Sequence, residues 1–162
     1  MNHPPRFQRR GFTLIELVIA VAVVGVLALM AAPLLEVTAQ RQKESELRTA
    51  LRQIREAIDA YHRAVQEKRI ESPADATGYP PDLERLAAGT ADVSTPDGAR
   101  IYFLRRLPRD PMNTDPTLKP AETWGLRSYA SPPDAPAPGD DVYDVYSLSD
   151  KTGLNGVPYR DW

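Results

Sequence analysis

Glu16 is the residue of this chain best placed to do chemistry. It is a lone carboxylate at the mouth of an apolar run, in the stretch Arg9-Arg10-Gly11-Phe12-Thr13-Leu14-Ile15-Glu16. Burying an unpaired charge at a membrane boundary is costly, so the acid needs a partner. One partner is local. Thr13-Leu14-Ile15-Glu16 matches the S/T-x-x-E capping box, with Thr13 as N-cap, and an acid in the first turn suits the helix dipole. The other partner is intermolecular. A cut after Gly11 would create an amine on Phe12, and a neighbouring subunit's amine could neutralise Glu16 as subunits assemble side by side. Physics alone leaves these two readings level.

Both readings need a helix beginning near Phe12, and the sequence supplies one. Leu17–Leu35 is nineteen residues without a charged side chain. At about 1.5 Å rise per residue such a run approaches the roughly 20 residues of a membrane span. Ala31-Ala32-Pro33 imitates a signal-peptidase site, but the apolar core is longer than the roughly 7–15 residues of a cleaved secretory signal. Arg6, Arg9 and Arg10 precede the run and no acid does, which places the N-terminus in the cytoplasm and the rest outside. Pro33 falls inside the expected helix, where it removes a backbone hydrogen bond and implies a kink.

Beyond Glu36 the helical pattern continues to about Lys68. Leu47, Leu51, Ile54, Ile58, Tyr61 and Val65 recur at alternating spacings of four and three, and Ala50, Ala57 and Ala64 widen the stripe. Arg48, Arg52, Arg55, Glu56 and Asp59 fall mostly on other faces, as an amphipathic helix requires. A coiled coil is the alternative, although about three heptads is short. The stripe is expected to pack on a small sheet. Ser72-Pro73 and Gly78-Tyr79-Pro80-Pro81 stop the helix and turn the chain. A short helix is expected at Pro81–Leu86. Strands are expected at Ile101–Leu104, Leu126–Ala130 and, most clearly, Val142–Leu148, where Val142, Tyr143, Val145 and Tyr146 favour extended backbone. Proline-bearing loops at Leu107–Pro120 and Ser131–Asp141 separate them, and Asp150–Gly156 is turn-rich.

Composition narrows the function. Sixteen prolines in 162 residues are about twice the usual share. There is no cysteine, so stability rests on the core rather than on disulfides. Loss of residues 1–11 would remove Arg6, Arg9 and Arg10, taking the basic residues from 20 to 17 against 22 acids. That acidity disfavours nucleic-acid binding, which needs a basic face. Arg105, Arg106 and Arg109 form a small basic cluster, read as a solvated face or as salt bridges to a neighbour; DNA contact is the alternative, which the net acidity disfavours. His3 and His62 are the only histidines, too few for a transition-metal site of the usual type. Neither a nucleophile elbow nor a phosphate-binding glycine loop is present, so an enzyme is not expected.

Gly11-Phe12-Thr13-Leu14-Ile15-Glu16, followed at once by the apolar run, resembles the processing signal of type IV pilins and type II secretion pseudopilins. Tyr79-Pro80 with Leu83 and Leu86, Leu107-Pro108-Arg109-Asp110-Pro111, and Asp144-Val145-Tyr146-Ser147-Leu148-Ser149 near Trp162 resemble the major, G-type pseudopilin. The resemblance implies an α+β, type IV pilin-like fold, with a long N-terminal helix packed on a small antiparallel sheet. Its parts are a cleaved leader over 1–11, a transmembrane helix half over 12–36, a periplasmic amphipathic half over 37–70 and a loop-rich β domain over 71–162. It implies cleavage between Gly11 and Phe12 by a prepilin peptidase, N-methylation of Phe12, an assembly role for Glu16 and a segment near Pro33 that loosens on packing. It implies a single-pass inner-membrane protein drawn into a periplasmic, homo-oligomeric filament, with minor pseudopilins and an assembly platform as partners, that helps export folded proteins across the outer membrane. A type IV pilin for adhesion, motility or DNA uptake is the alternative; missing cysteines disfavour it, since many type IV pilins close a C-terminal loop with a disulfide. The resemblance also implies a structural calcium after the last strand, drawing on Leu148, Asp150, Asn155 and Asp161. Against that, Asp150 serves equally as an ordinary turn residue.

Overall fold

The protein is described by a computed structural model covering residues 12–162. The side chains of residues 28–34 lie outside the described set, as do residues 1–11. The dominant element is helix α1, Leu14–Gln66. Contacts divide the chain into a unit ending at Ala39 and a second unit, Gln40–Trp162. In the first unit the large apolar side chains from Phe12 to Leu27 are exposed. Among the described residues no helix is long and apolar enough to cross a membrane. The expected span, Leu17–Leu35, runs over residues 28–34, and the kink expected at Pro33 falls there too.

The second unit is built on the apolar stripe of α1. Leu47, Ala50, Leu51, Ile54, Ala57, Ile58, Tyr61 and Ala64 are all buried, and Val65 packs partly buried against them. Each large aliphatic residue removed from water contributes about 1.5–3 kcal/mol, so this face organises the rest of the unit. Tyr61 meets Phe103 edge-on at 5.4 Å between ring centroids. Ile70, Leu83, Leu86, Trp124, Val142, Val145 and Tyr159 complete the core.

The helix ends in a hydrogen-bonded C-terminal motif. Lys68 N–H donates to Val65 O and Arg69 N–H to Ala64 O, both at 2.9 Å, which satisfies two carbonyls of the last turn. Lys68 takes φ 57° to close the motif. Past it, α2 spans Glu84–Ala88, three residues later than the proline-led reading. Next come two antiparallel pairs. Strands β1, Thr90–Ala91, and β2, Arg100–Ile101, pair Thr90 with Ile101. Strands β3, Trp124–Arg127, and β4, Asp144–Ser147, pair Trp124 with Ser147 and Arg127 with Asp144. The strand expected at Ile101–Leu104 thus shrinks to β2. Beyond it, Phe103 and Leu104 N–H both donate to Leu86 O, so that segment hangs on the end of α2 instead of extending a sheet. Short 3₁₀ turns at Ala121–Thr123 and Tyr159–Asp161 carry no helical periodicity in sequence.

Candidate assembly site and C-terminal loop

The start of α1 carries the first site. Glu16 N–H donates to Thr13 Oγ1 at 3.3 Å, and Thr13 N–H donates back to Glu16 Oε2 at 3.4 Å. This reciprocal pair is a capping box, so two of the helix's unpaired donors are satisfied from within. Glu16 and Phe12 are exposed. The cap therefore leaves the carboxylate open to a second partner. Gly11, on the other side of the expected scissile bond, lies outside the described residues.

The C-terminal loop is the second site. Leu148, Asp150, Asn155 and Asp161 are all exposed. Asn155 Oδ1 accepts Val157 N–H at 3.1 Å and so serves a local turn. Calcium takes six to eight oxygens, chiefly carboxylates and carbonyls. Among the described residues there is no group of three or more His, Cys, Asp or Glu side chains placed to hold a metal. On side chains alone, the expected donor set falls short of that need.

A residue that the periodicity passes over is central here. Glu44 lies three residues before Leu47, on the apolar face of α1, and is buried. Its Oε1 accepts Leu154 N–H at 2.8 Å, the Tyr159 hydroxyl at 2.9 Å and Gln40 Nε2 at 3.4 Å. Gln40 Nε2 also donates to the Tyr159 hydroxyl oxygen. Burial works against the charged carboxylate, but the bonds from Leu154, Tyr159 and Gln40, with the positive charge of Arg48, outweigh it and hold Glu44 below its ordinary value. Burial and the neighbouring Glu44 push the Tyr159 phenol up. The sequence signal was available: an acid in register with an apolar stripe.

Further along the same helix, Arg48 lies over the Trp162 ring at 4.3 Å. Arg55 Nε pairs with Asp144 at 2.7 Å, while its Nη2 donates to Val145 O and to the backbone oxygen of Trp162, at 3.1 and 2.9 Å. Gly153 allows Trp162 to approach: a Cβ there would come within 2.5 Å of the indole.

The motifs between these sites turn out to brace the fold. Asp110 is buried, accepting Ser147 Oγ–H at 2.5 Å and Met112 N–H at 2.7 Å. Trp124 Nε1 donates to Pro108 O at 2.9 Å. Thus Leu107-Pro108-Arg109-Asp110-Pro111 is stitched to β3 and β4. Tyr79 stacks on His62 of α1 with centroids 4.2 Å apart, and Pro80 O accepts Val142 N–H at 2.8 Å. Of the basic cluster, Arg105 and Arg106 are exposed. Arg109 instead donates to the carbonyls of Leu118 and Asp115.

Residues 6–32 match the family model described as the prokaryotic N-terminal methylation motif. The type II secretion system core protein G of Klebsiella michiganensis is 27% identical over 151 residues, covering 90% of this chain and 99% of that protein. The core protein G of Escherichia coli is 27% identical over 150 residues, covering 89% and 95%. The chain is thus similar to type II secretion core protein G over most of its length. The type IV major pilin protein PilA of Myxococcus xanthus is 36% identical over 99 residues, covering 58% of this chain and 44% of the pilin. No solved structure matches. Its long helix and small antiparallel sheets make an α+β arrangement consistent with a pilin-like fold.

Proposed function

We propose that this protein is a structural subunit of a type II secretion pseudopilus, processed by a prepilin peptidase and assembled into a filament that helps export folded proteins across the outer membrane. One observation carries the reading: the N-terminal methylation motif stands on a chain similar to core protein G over nearly its whole length. In this reading the peptidase cuts between Gly11 and Phe12, Phe12 becomes the methylated N-terminus, and Leu17–Leu35 anchors the subunit in the inner membrane with its C-terminal domain in the periplasm. Minor pseudopilins and the inner-membrane assembly platform are its partners. Glu16, capped yet exposed, pairs with the Phe12 amine of a neighbour. An intermolecular pair of this kind favours lateral assembly in a medium where a lone carboxylate is costly.

Two measurements test this. Mass spectrometry of the mature protein should find N-methylated Phe12 at its start; any other N-terminus rejects the processing site. Glu16→Ala should insert in the membrane but fail to assemble, and normal filaments from that variant would reject the pairing. The Myxococcus similarity supports a second reading, a type IV pilin. Complementation decides between them: a core protein G deletion strain regains secretion under the first reading only.

A further inference from the structure

We propose that the loop Leu148–Trp162 is closed by a helix carboxylate, Glu44, and not by a bound cation. A cation orders a loop by collecting its carbonyls and acids. This loop does the opposite and turns donors inward. Leu154 N–H and the Tyr159 hydroxyl converge on one oxygen of Glu44, while Asp150 and Asp161 face solvent. Leu154 sits in the turn itself and Tyr159 on the limb that returns from it. Around that turn Gly153 N–H donates to Val157 O at 2.9 Å, and Thr152 bridges Pro158. Tyr159 N–H returns to Lys151 O at 3.1 Å. A single carboxylate therefore grips the turn and the returning limb of a loop whose own backbone bonds set its shape. Charge-assisted bonds of this type are the stronger ones, and Tyr159 is fully buried over the contact. Gln40 supplies a further donor to both partners, and Arg48 and Arg55 hold Trp162. The polarity is that of an anion site occupied by the protein's own side chain. It stands whichever filament the chain enters.

The test uses full-length protein in detergent. Melting is followed with excess EGTA and with millimolar calcium, and trypsin cleavage after Lys151 and Arg160 is read by mass spectrometry. The expected result is a melting temperature and cleavage rate indifferent to both additions, and unchanged in Asp150→Asn and Asp161→Asn. Glu44→Gln should lower the melting temperature by roughly 5 °C and speed cleavage at both sites. Should that variant fail to fold, Tyr159→Phe removes one donor while keeping the ring, and the same cleavage sites should open to a smaller degree. Loss of protection in EGTA that calcium restores would overturn the proposal, as would Glu44 and Tyr159 variants with an undisturbed loop.

Discussion

Asp110 illustrates how a buried carboxylate here works as an acceptor that fixes neighbouring chain. It receives Ser147 from β4 and Met112 from its own loop. Asp110→Ala strands both donors, which costs about 1–3 kcal/mol each when they stay dry. The variant should unfold at clearly lower urea, and Asp110→Asn, which keeps an acceptor oxygen, should lose less. Asp92 responds to pH. Ser94 Oγ–H donates to it at 2.5 Å, and the Arg69 guanidinium reaches it at 2.7 Å. The Ser94 bonds and Arg69 hold its carboxyl below the ordinary value. The folded value thus lies under the unfolded one, near 3.9. The stability it contributes is fully present above about pH 4 and is lost as pH falls through the folded value. Urea denaturation of the protein and of Asp92→Asn from pH 7 to pH 3 should show a gap that is constant at neutrality and narrows below about pH 4.

The helix end is where an element departs from its easiest sequence. The C-terminal motif of α1 wants a left-handed residue, and Lys68 supplies it at φ 57° where glycine is the usual occupant. Lys68→Gly should stabilise the protein by about 1 kcal/mol, read as a rise in the urea midpoint with unchanged slope. The same helix shows why some elements could be read from sequence and others not. Its apolar stripe repeats over five turns, long enough for spacing alone to name Leu47, Ile54 and Ile58 as core. Strand β4 announces itself through Val145 and Tyr146. Strands β1 and β2 are two residues long, and no periodicity can show in two residues. Their pairing is set by Asp92 N–H and Ala99 O at 2.8 Å and by Asp92 with Arg69, contacts made only once the chain has turned back.

For the whole domain Gln40–Trp162, the polar connections to α1 matter as much as the core. The processing motif was readable because it is a contiguous string with a fixed order. The closure of the C-terminal loop was not, because its parts are distant: Glu44, Leu154 and Tyr159 meet only in three dimensions, and the acids near Leu154 in sequence face solvent. The bond from Leu154 to Glu44 spans 110 positions, and that from Tyr159 spans 115. Such separations put this domain's last stitches among its most sequence-distant contacts, the kind that slow folding. A ribosome adds about 5–20 residues per second, so Glu44 emerges on the order of 5–20 s before either donor that will bond it. During that interval Phe103 and Leu86 can already reach the stripe near Tyr61, while its other end, at Gln40 and Glu44, waits uncovered for Leu154 and Tyr159.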